Sequence, residues 1–363
     1  MLKRYLTIII KVVQYSIARK KMFTTMSSTL LLRGFVVLGV MLMHTTWYFN
    51  SAQQRSWITI SEMLLDIISL FAVPLVMFVS GYVFTSHNRH ADYYKLSFFR
   101  KMFFSVLSPY LLFSLIYIAG FCFFNDFAYT PREIAYQLIT GSSAVHMAFF
   151  RALFGFYAIY PLLMHYFNRC RLQHKLDRFI IQVILDITTF LRYLAYFSFG
   201  LLACIYQKKL LRWIDQHHTL LNIGFLLNLP LIAVCWYFKY YAHSLRILEF
   251  VCFPLNLFLY TIIITMLFDY VHTLKSQDSF SKRFMIYLGN YSFGIFLIHV
   301  VYMYVGDKVL SLLGLSPQRG LFYPLLFLIM LGLSLLTMEL LARVSWGHYF
   351  IGHVDHISLN KKA

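Results

Sequence analysis

Residues 30–48 read LLLRGFVVLGVMLMHTTWY, and this stretch decides the class of the fold. Apart from Arg33, His44 and two threonines its residues are apolar or glycine, and it has the length of about 20 residues that an α-helix needs to cross a bilayer. Similar stretches follow at 62–85, 102–124, 146–167, 191–206, 220–238, 247–270, 284–304 and 321–345. The sequence therefore predicts an all-α, polytopic transmembrane helical bundle with nine clear spans.

The composition excludes a soluble, fibrous or disordered chain. Hydrophobic residues make up 60% of the sequence and charged residues only 13%, whereas charged residues are roughly a quarter of a soluble domain. The net charge of +18 is the excess expected of cytoplasmic loops in a membrane protein, so the lipid bilayer is the expected partner and nucleic acid is not. The five cysteines show no metal-ligand spacing, and no metal site is predicted.

Loop charges predict the topology. Basic residues accumulate in every second loop, as cytoplasmic loops do, but with nine spans this alternation breaks at the loop after 191–206, which is basic like the loop before that span. A short crossing or a re-entrant segment at 179–190 restores it, giving about ten crossings with both termini cytoplasmic. We expect a basic amphipathic interfacial segment at 1–27, a membrane domain at 28–345 and a cytoplasmic tail at 346–363.

Two ionisable residues lie eleven positions apart in the first stretch. Eleven helical residues rise about 16 Å and return to within about 20° of the starting direction, so Arg33 and His44 share one face. Arg33, near the cytoplasmic end, is either an orientation anchor or a phosphate ligand. His44 lies deeper, where desolvation favours the neutral form that a general base requires. It is either catalytic or a polar contact between helices.

A second histidine is predicted at the same depth. His299 lies in an outward-running span, so it can line one cavity with His44, or the two can make unrelated helix contacts. The sequence leaves both possibilities open. In the 146–167 span, Arg151 lies near the outer end, where snorkelling to the interface is the simplest explanation.

The ordered motifs resemble acyltransferase family 3, whose members are bacterial integral-membrane enzymes that O-acylate surface carbohydrates. Arg33 and His44 resemble the family's first-span signature. Later segments are similar to further family motifs: PLVMFVSGYVF at 74–84, the region 146–161, FSFG at 197–200 and YSFGIFLIH at 291–299. The chain departs from the family pattern before Pro109, where fewer basic residues follow Arg100 and Lys101, and at Ala148, which lies near the place of a family tryptophan.

The resemblance implies an acyl-CoA-dependent O-acyltransferase, with acetyl-CoA the expected co-substrate and no permanently bound cofactor. It implies transfer to a hydroxyl of a cell-surface glycan or its lipid-linked precursor, in the bacterial cytoplasmic (inner) membrane. His44 and Arg33 are the expected catalytic residues, with His44 either a general base or a transient acyl carrier. Arg33, Arg100 and Lys101 are the expected CoA ligands. The expected substrate-binding residues are His146, Arg151, Tyr157, Ser292 and His299.

Two other functions remain as alternatives. A polysaccharide transporter or flippase would handle the same class of glycan, but proton-coupled transport usually needs carboxylates in the middle of the membrane, and the acidic residues here cluster at span ends. A scaffold subunit without catalysis would leave the shared face of Arg33 and His44 unexplained.

Overall fold

The structure, a computed structural model, describes residues 27–46, 65, 69–88, 96–125, 128–169, 189–242, 246–274, 279–317, 320–344 and 347. The interfacial segment predicted at 1–27 lies outside this part except for Ser27. Most of the crossing predicted at 179–190 and most of the tail predicted at 346–363 also lie outside it. Those three predictions therefore stay predictions.

The described chain is helical and contains no strand, which confirms the predicted all-α class for this part of the protein. Its helices are α1 (Ser27–Thr45), α2 (Ala72–Asn88), α3 (Leu96–Asn125), α4 (Pro131–Thr140), α5 (Ala148–Arg169), α6 (Thr189–Ile205), α7 (Gln207–Ala242), α8 (Arg246–Leu274), α9 (Phe280–Leu312) and α10 (Phe322–Ala342). A short 3-10 helix, Val145–Met147, immediately precedes α5.

Each of the nine predicted stretches coincides with one of the helices α1–α3 and α5–α10, and none coincides with α4. Seven helical segments of the described residues are long and apolar enough to cross a membrane: Ser27–Thr45, Val106–Phe123, Val145–His165, Gln207–Val234, Pro254–Leu274, Phe280–Leu312 and Phe322–Ala342. Two shorter apolar helices, Ala72–Ser86 and Tyr193–Ile205, account for the remaining stretches. The protein is thus a multi-pass membrane protein, while the count of ten crossings and the side of each terminus stay predictions.

The segment after 191–206 is a helix, where the sequence suggests a loop. Three exposed basic residues lie in the first two turns of α7: Lys208, Lys209 and Arg212. Leu210 and Ile214 are buried one turn apart on the other face, so this segment is amphipathic and its apolar stripe packs against the protein. The backbone leaves helical geometry at His217, with φ −118° and ψ 16°. A kinked, basic extension therefore precedes the apolar part of α7.

Reciprocal glycines bring α2 and α6 into backbone contact. A Cβ added to Gly81 would collide with the carbonyl of Phe197, and one added to Gly200 would collide with the carbonyl of Phe78. Small residues allow such close approach, which is a main source of helix association in lipid. Gly81 and Gly200, both in motifs that resemble the family's, therefore act in packing.

A second glycine pair joins the first helix to the ninth. A Cβ added to Gly34 of α1 would collide with the backbone of Met285 in α9, and one added to Gly289 of α9 would collide with the backbone of α1. Helix α9 also pairs with α10 through polar groups, because the hydroxyls of Tyr287 and Tyr291 donate to the carboxylate of Glu339 at 3.1 and 3.0 Å.

Candidate active site

Three histidines from three parts of the chain meet in the interior of the bundle. The ring centroids of His44 and His299 are 4.9 Å apart, those of His146 and His299 are 5.0 Å apart, and those of His44 and His146 are 6.2 Å apart. Their exposed fractions are 3%, 0% and 6% for His44, His299 and His146. The sequence leaves open whether His44 and His299 meet, and the structure places them side by side.

The helix pairing explains the shared depth of His44 and His299. His44 lies ten residues after Gly34 on α1, and His299 lies ten residues after Gly289 on α9. The two glycines lie at the contact between the two helices. Because the helices are parallel and the intervals are equal, the two histidines lie at the same height along the helix axes, which we call one level.

Local turn chemistry places His146. Thr130 and Glu133 form a capping box at the start of α4, with Pro131 in its first turn, a combination that fixes a helix N-terminus. Helix α4 ends at Gly141, whose φ of 71° is left-handed and favours glycine. A Cβ at Gly141 would also meet the carbonyl of Met147. The chain can therefore turn tightly against the 3-10 helix that carries His146.

Hydrogen bonds to backbone carbonyls fix the orientation of two of the rings. His299 Nδ1 lies 2.8 Å from the carbonyl oxygen of Phe296 and 3.1 Å from that of Ile295, and His146 Nε2 lies 3.3 Å from that of Leu297. A carbonyl only accepts, so these nitrogens carry the protons. In the neutral rings, His299 Nε2 and His146 Nδ1 then hold lone pairs, and neither atom has a hydrogen-bond partner among the described residues.

Sequence reasoning missed the aromatic residues that surround the histidines. The hydroxyl of Tyr117 on α3 donates to the Leu297 carbonyl at 2.8 Å, which is the carbonyl that His146 contacts. The ring of Phe296 lies 5.5 Å from that of His146 and 5.9 Å from that of His299. Tyr117 carries no sequence signal, since tyrosine is abundant throughout the spans, whereas Phe296 lies within the family-like segment 291–299.

Arg33 lies at a second polar level. It is half-buried, and its charge interacts with the hydroxyl of Tyr157 on α5, which is buried. Tyr157 follows His146 by eleven residues, the interval that separates Arg33 from His44. Helices α1 and α5 are therefore antiparallel, with the histidines at one level and Arg33 with Tyr157 at another, about 16 Å away.

The other predicted site residues are distributed around these two levels. Ser292 is buried on α9, two turns before His299, and so lies between the levels. Arg151 is exposed, and its charge acts on the hydroxyl of Tyr110, which donates to the Leu138 carbonyl at 2.6 Å. Arg100 is exposed in the first turns of α3.

The role of Arg100 in binding CoA, and that of Lys101 beside it on α3, stay predictions. Within the described ranges, no group of three or more His, Cys, Asp or Glu side chains is arranged to hold a metal ion.

Comparison with known families identifies the chain. A family model described as an acyltransferase domain, that of acyltransferase family 3, matches residues 31–339. Neither a curated protein nor a solved structure matches the chain significantly. The matched region contains both polar levels and all three histidines, and it confirms the resemblance seen in the motifs. The chain therefore belongs to acyltransferase family 3 and is a multi-pass membrane acyltransferase.

Proposed function

We propose that this protein is an O-acyltransferase that moves an acyl group from cytoplasmic acyl-CoA to a hydroxyl of a cell-surface glycan or its lipid-linked precursor. The observation that supports this most directly is the buried cluster of His44, His146 and His299, with Arg33 on the helix of His44 and Tyr157 on the helix that follows His146. The proposed location is the cytoplasmic (inner) membrane of a bacterium, with the start of α1 facing the cytoplasm.

The donor would approach from the Arg33 level. CoA carries several phosphates, and a guanidinium binds phosphate through two parallel hydrogen bonds while it stays charged in partly desolvated surroundings. Arg100, exposed at the start of α3, and Lys101 would add to the attraction of the nucleotide. With phosphates near Arg33, the pantetheine arm would extend along α1 past Ser292 and bring the thioester to the histidines, about 16 Å deeper.

The histidine cluster would supply the chemistry. The thioester C–S bond breaks and an ester C–O bond forms. If His44 is a general base, it takes the proton of the acceptor hydroxyl and passes it to the CoA sulfur, so that an ester and free CoA leave. If His44 is a carrier, the acyl group first moves to a ring nitrogen and then to the acceptor hydroxyl. Both alternatives stay open, and only the second passes through an acyl-histidine intermediate.

The acceptor would enter from the opposite side, where the 3-10 helix carrying His146 adjoins α4. The lone pairs at His146 Nδ1 and His299 Nε2 are acceptors for a sugar hydroxyl. Arg151 would help to hold the acceptor at its end of the site, and Tyr157 would help to hold the donor at the Arg33 level. A transporter or flippase, the alternative function, gains no support from the family match.

One experiment tests the proposal. The purified protein in detergent is incubated with acetyl-CoA labelled in the acetyl group, with and without a lipid or glycan extract as acceptor. We expect transfer of label to the extract and release of free CoA, both lost in His44→Ala. Binding of acetyl-CoA with neither transfer nor hydrolysis would contradict the proposal.

A further inference from the structure

The ring of Phe296 forms one wall of the histidine cluster. Its centroid is 5.5 Å from that of His146 and 5.9 Å from that of His299. Phe296 lies one turn before His299 on α9, and its carbonyl accepts the His299 hydrogen bond at 2.8 Å. The position of this side chain is therefore tied to that of the imidazoles.

More aromatic rings fill the space behind Phe296. Phe149 and Phe150 lie 5.4 and 5.8 Å from it, centroid to centroid, and 5.8 Å from each other. Phe150 is fully buried. Phe149 and Phe296 are partly buried and pack against the buried core, so aromatic carbon occupies the volume on this side of the histidines.

Buried residues also surround the cluster near His44. Met41, Thr45 and Met330 have exposed fractions of 1%, 2% and 0%. Thr45 Oγ1 lies 3.8 Å from Met330 Sδ, so α1 and α10 are in contact at this level. An acyl group that reaches the imidazoles thus enters a tightly enclosed part of the protein.

We propose that Phe296 sets the length of the acyl group and restricts the donor to short-chain acyl-CoA, with acetyl preferred. This inference rests on the proposed function, because it places the acyl carbonyl beside His44. The tail beyond the carbonyl must then lie next to the imidazoles, against Phe296. Acetyl ends there in a single methyl group, whereas butyryl adds two methylenes in the space that the phenyl ring fills.

The size of the expected effect follows from hydrophobic pockets in general. One methylene that a pocket does not accommodate changes kcat/KM by about 10- to 200-fold, so acetyl-CoA should be preferred over butyryl-CoA by at least about 100-fold. Engineered apolar cavities of about 150 Å³ stay dry and bind benzene. Removing the Phe296 ring should therefore give a longer tail an apolar site.

The test measures kcat/KM for acetyl-, propionyl- and butyryl-CoA in native membrane vesicles, which contain the endogenous acceptor. The rate is that of CoA release, and the rate in vesicles carrying His44→Ala is subtracted as background. The readout is the ratio of acetyl to butyryl within each variant, which partial misfolding leaves unchanged because it lowers both rates. Phe296→Ala should reduce the ratio at least tenfold, and Phe296→Leu should reduce it less. Phe293→Ala is the matched control, since Phe293 lies one turn earlier on α9 and its ring faces Phe150 at 6.1 Å.

The inference is overturned if the wild type uses butyryl-CoA within tenfold of acetyl-CoA. It is equally overturned if Phe296→Ala leaves the ratio unchanged, or if Phe293→Ala lowers it as much. Absence of CoA release above background with every donor is a different outcome, because it contradicts the proposed function and removes this inference with it.

Discussion

Replacing His44 with glutamine should abolish acyl transfer while the protein stays folded in the membrane. His44 is 3% exposed, with the rings of His299 and His146 at 4.9 and 6.2 Å. Glutamine is similar in length, and its amide can donate hydrogen bonds toward the lone pairs of the neighbouring imidazoles. It can neither relay a proton at neutral pH nor carry an acyl group.

The expected magnitude follows from this loss of chemistry. Positioned acid–base catalysis supplies about 10²- to 10⁴-fold in rate, or about 2.7 to 5.4 kcal/mol of activation free energy. Stability should change much less, because the amide can donate hydrogen bonds to the neighbouring imidazoles and leaves a smaller gap than alanine would. A fall in kcat of at least 100-fold with unchanged affinity for acetyl-CoA is therefore expected.

The assay combines transfer of labelled acetyl groups in vesicles with equilibrium binding of acetyl-CoA to the same preparation. His165→Gln provides the control, since His165 is exposed on α5 and the same substitution there should leave transfer unchanged. If His44→Gln retains transfer within tenfold of the wild type, His44 is structural and the mechanism must be rebuilt around His299.

Four further outcomes are expected. Arg33→Ala should weaken binding of acetyl-CoA, measured by equilibrium dialysis, with partial recovery in Arg33→Lys, which lacks the forked donors; unchanged binding would make Arg33 an orientation anchor. Tyr117→Phe removes one hydrogen bond worth about 0.5–1.5 kcal/mol, so kcat should fall by up to about tenfold with KM for acetyl-CoA unchanged. Gly141→Ala forces alanine into a left-handed conformation that costs about 1–2 kcal/mol, and acyl transfer should fall as the His146 turn shifts, with circular dichroism confirming the fold. Reporter fusions after Phe190 and after Leu210 should report opposite sides of the membrane, and the same side for both would refute the ten-crossing topology.

The helices follow from the sequence because lipid leaves a spanning backbone few alternatives. Buried backbone groups must pair within the segment, so an apolar stretch of sufficient length becomes a helix. The shared face of Arg33 and His44 follows from the helical period alone. The helical state of the basic residues after α6 does not follow from composition, because an amphipathic extension such as the start of α7 has the same composition as a charged loop.

The meeting of the histidines does not follow from the sequence. Spanning helices are apolar on every side, so hydrophobic periodicity does not show which face contacts which neighbour. The contact of α1 with α9 depends on Gly34 and Gly289, and glycines occur in most of the spans. The place of His146 depends in turn on the left-handed turn at Gly141. Close packing of this turn against Met147 leaves no room for a side chain at position 141.

The distribution of the three histidines along the chain has a consequence for biosynthesis. Between His44 and His299 lie about 250 residues of chain, which a ribosome needs about 10 to 50 s to make at 5–20 residues per second. During that time α1 is already in the bilayer while α9, which supplies both its glycine contact and its histidine neighbour, has yet to be translated. Under the proposed function, a chain truncated before α9 has no complete histidine cluster, so we expect nascent and prematurely terminated chains to be inactive. We then expect activity to begin only when α9, one of the last spans, has been inserted.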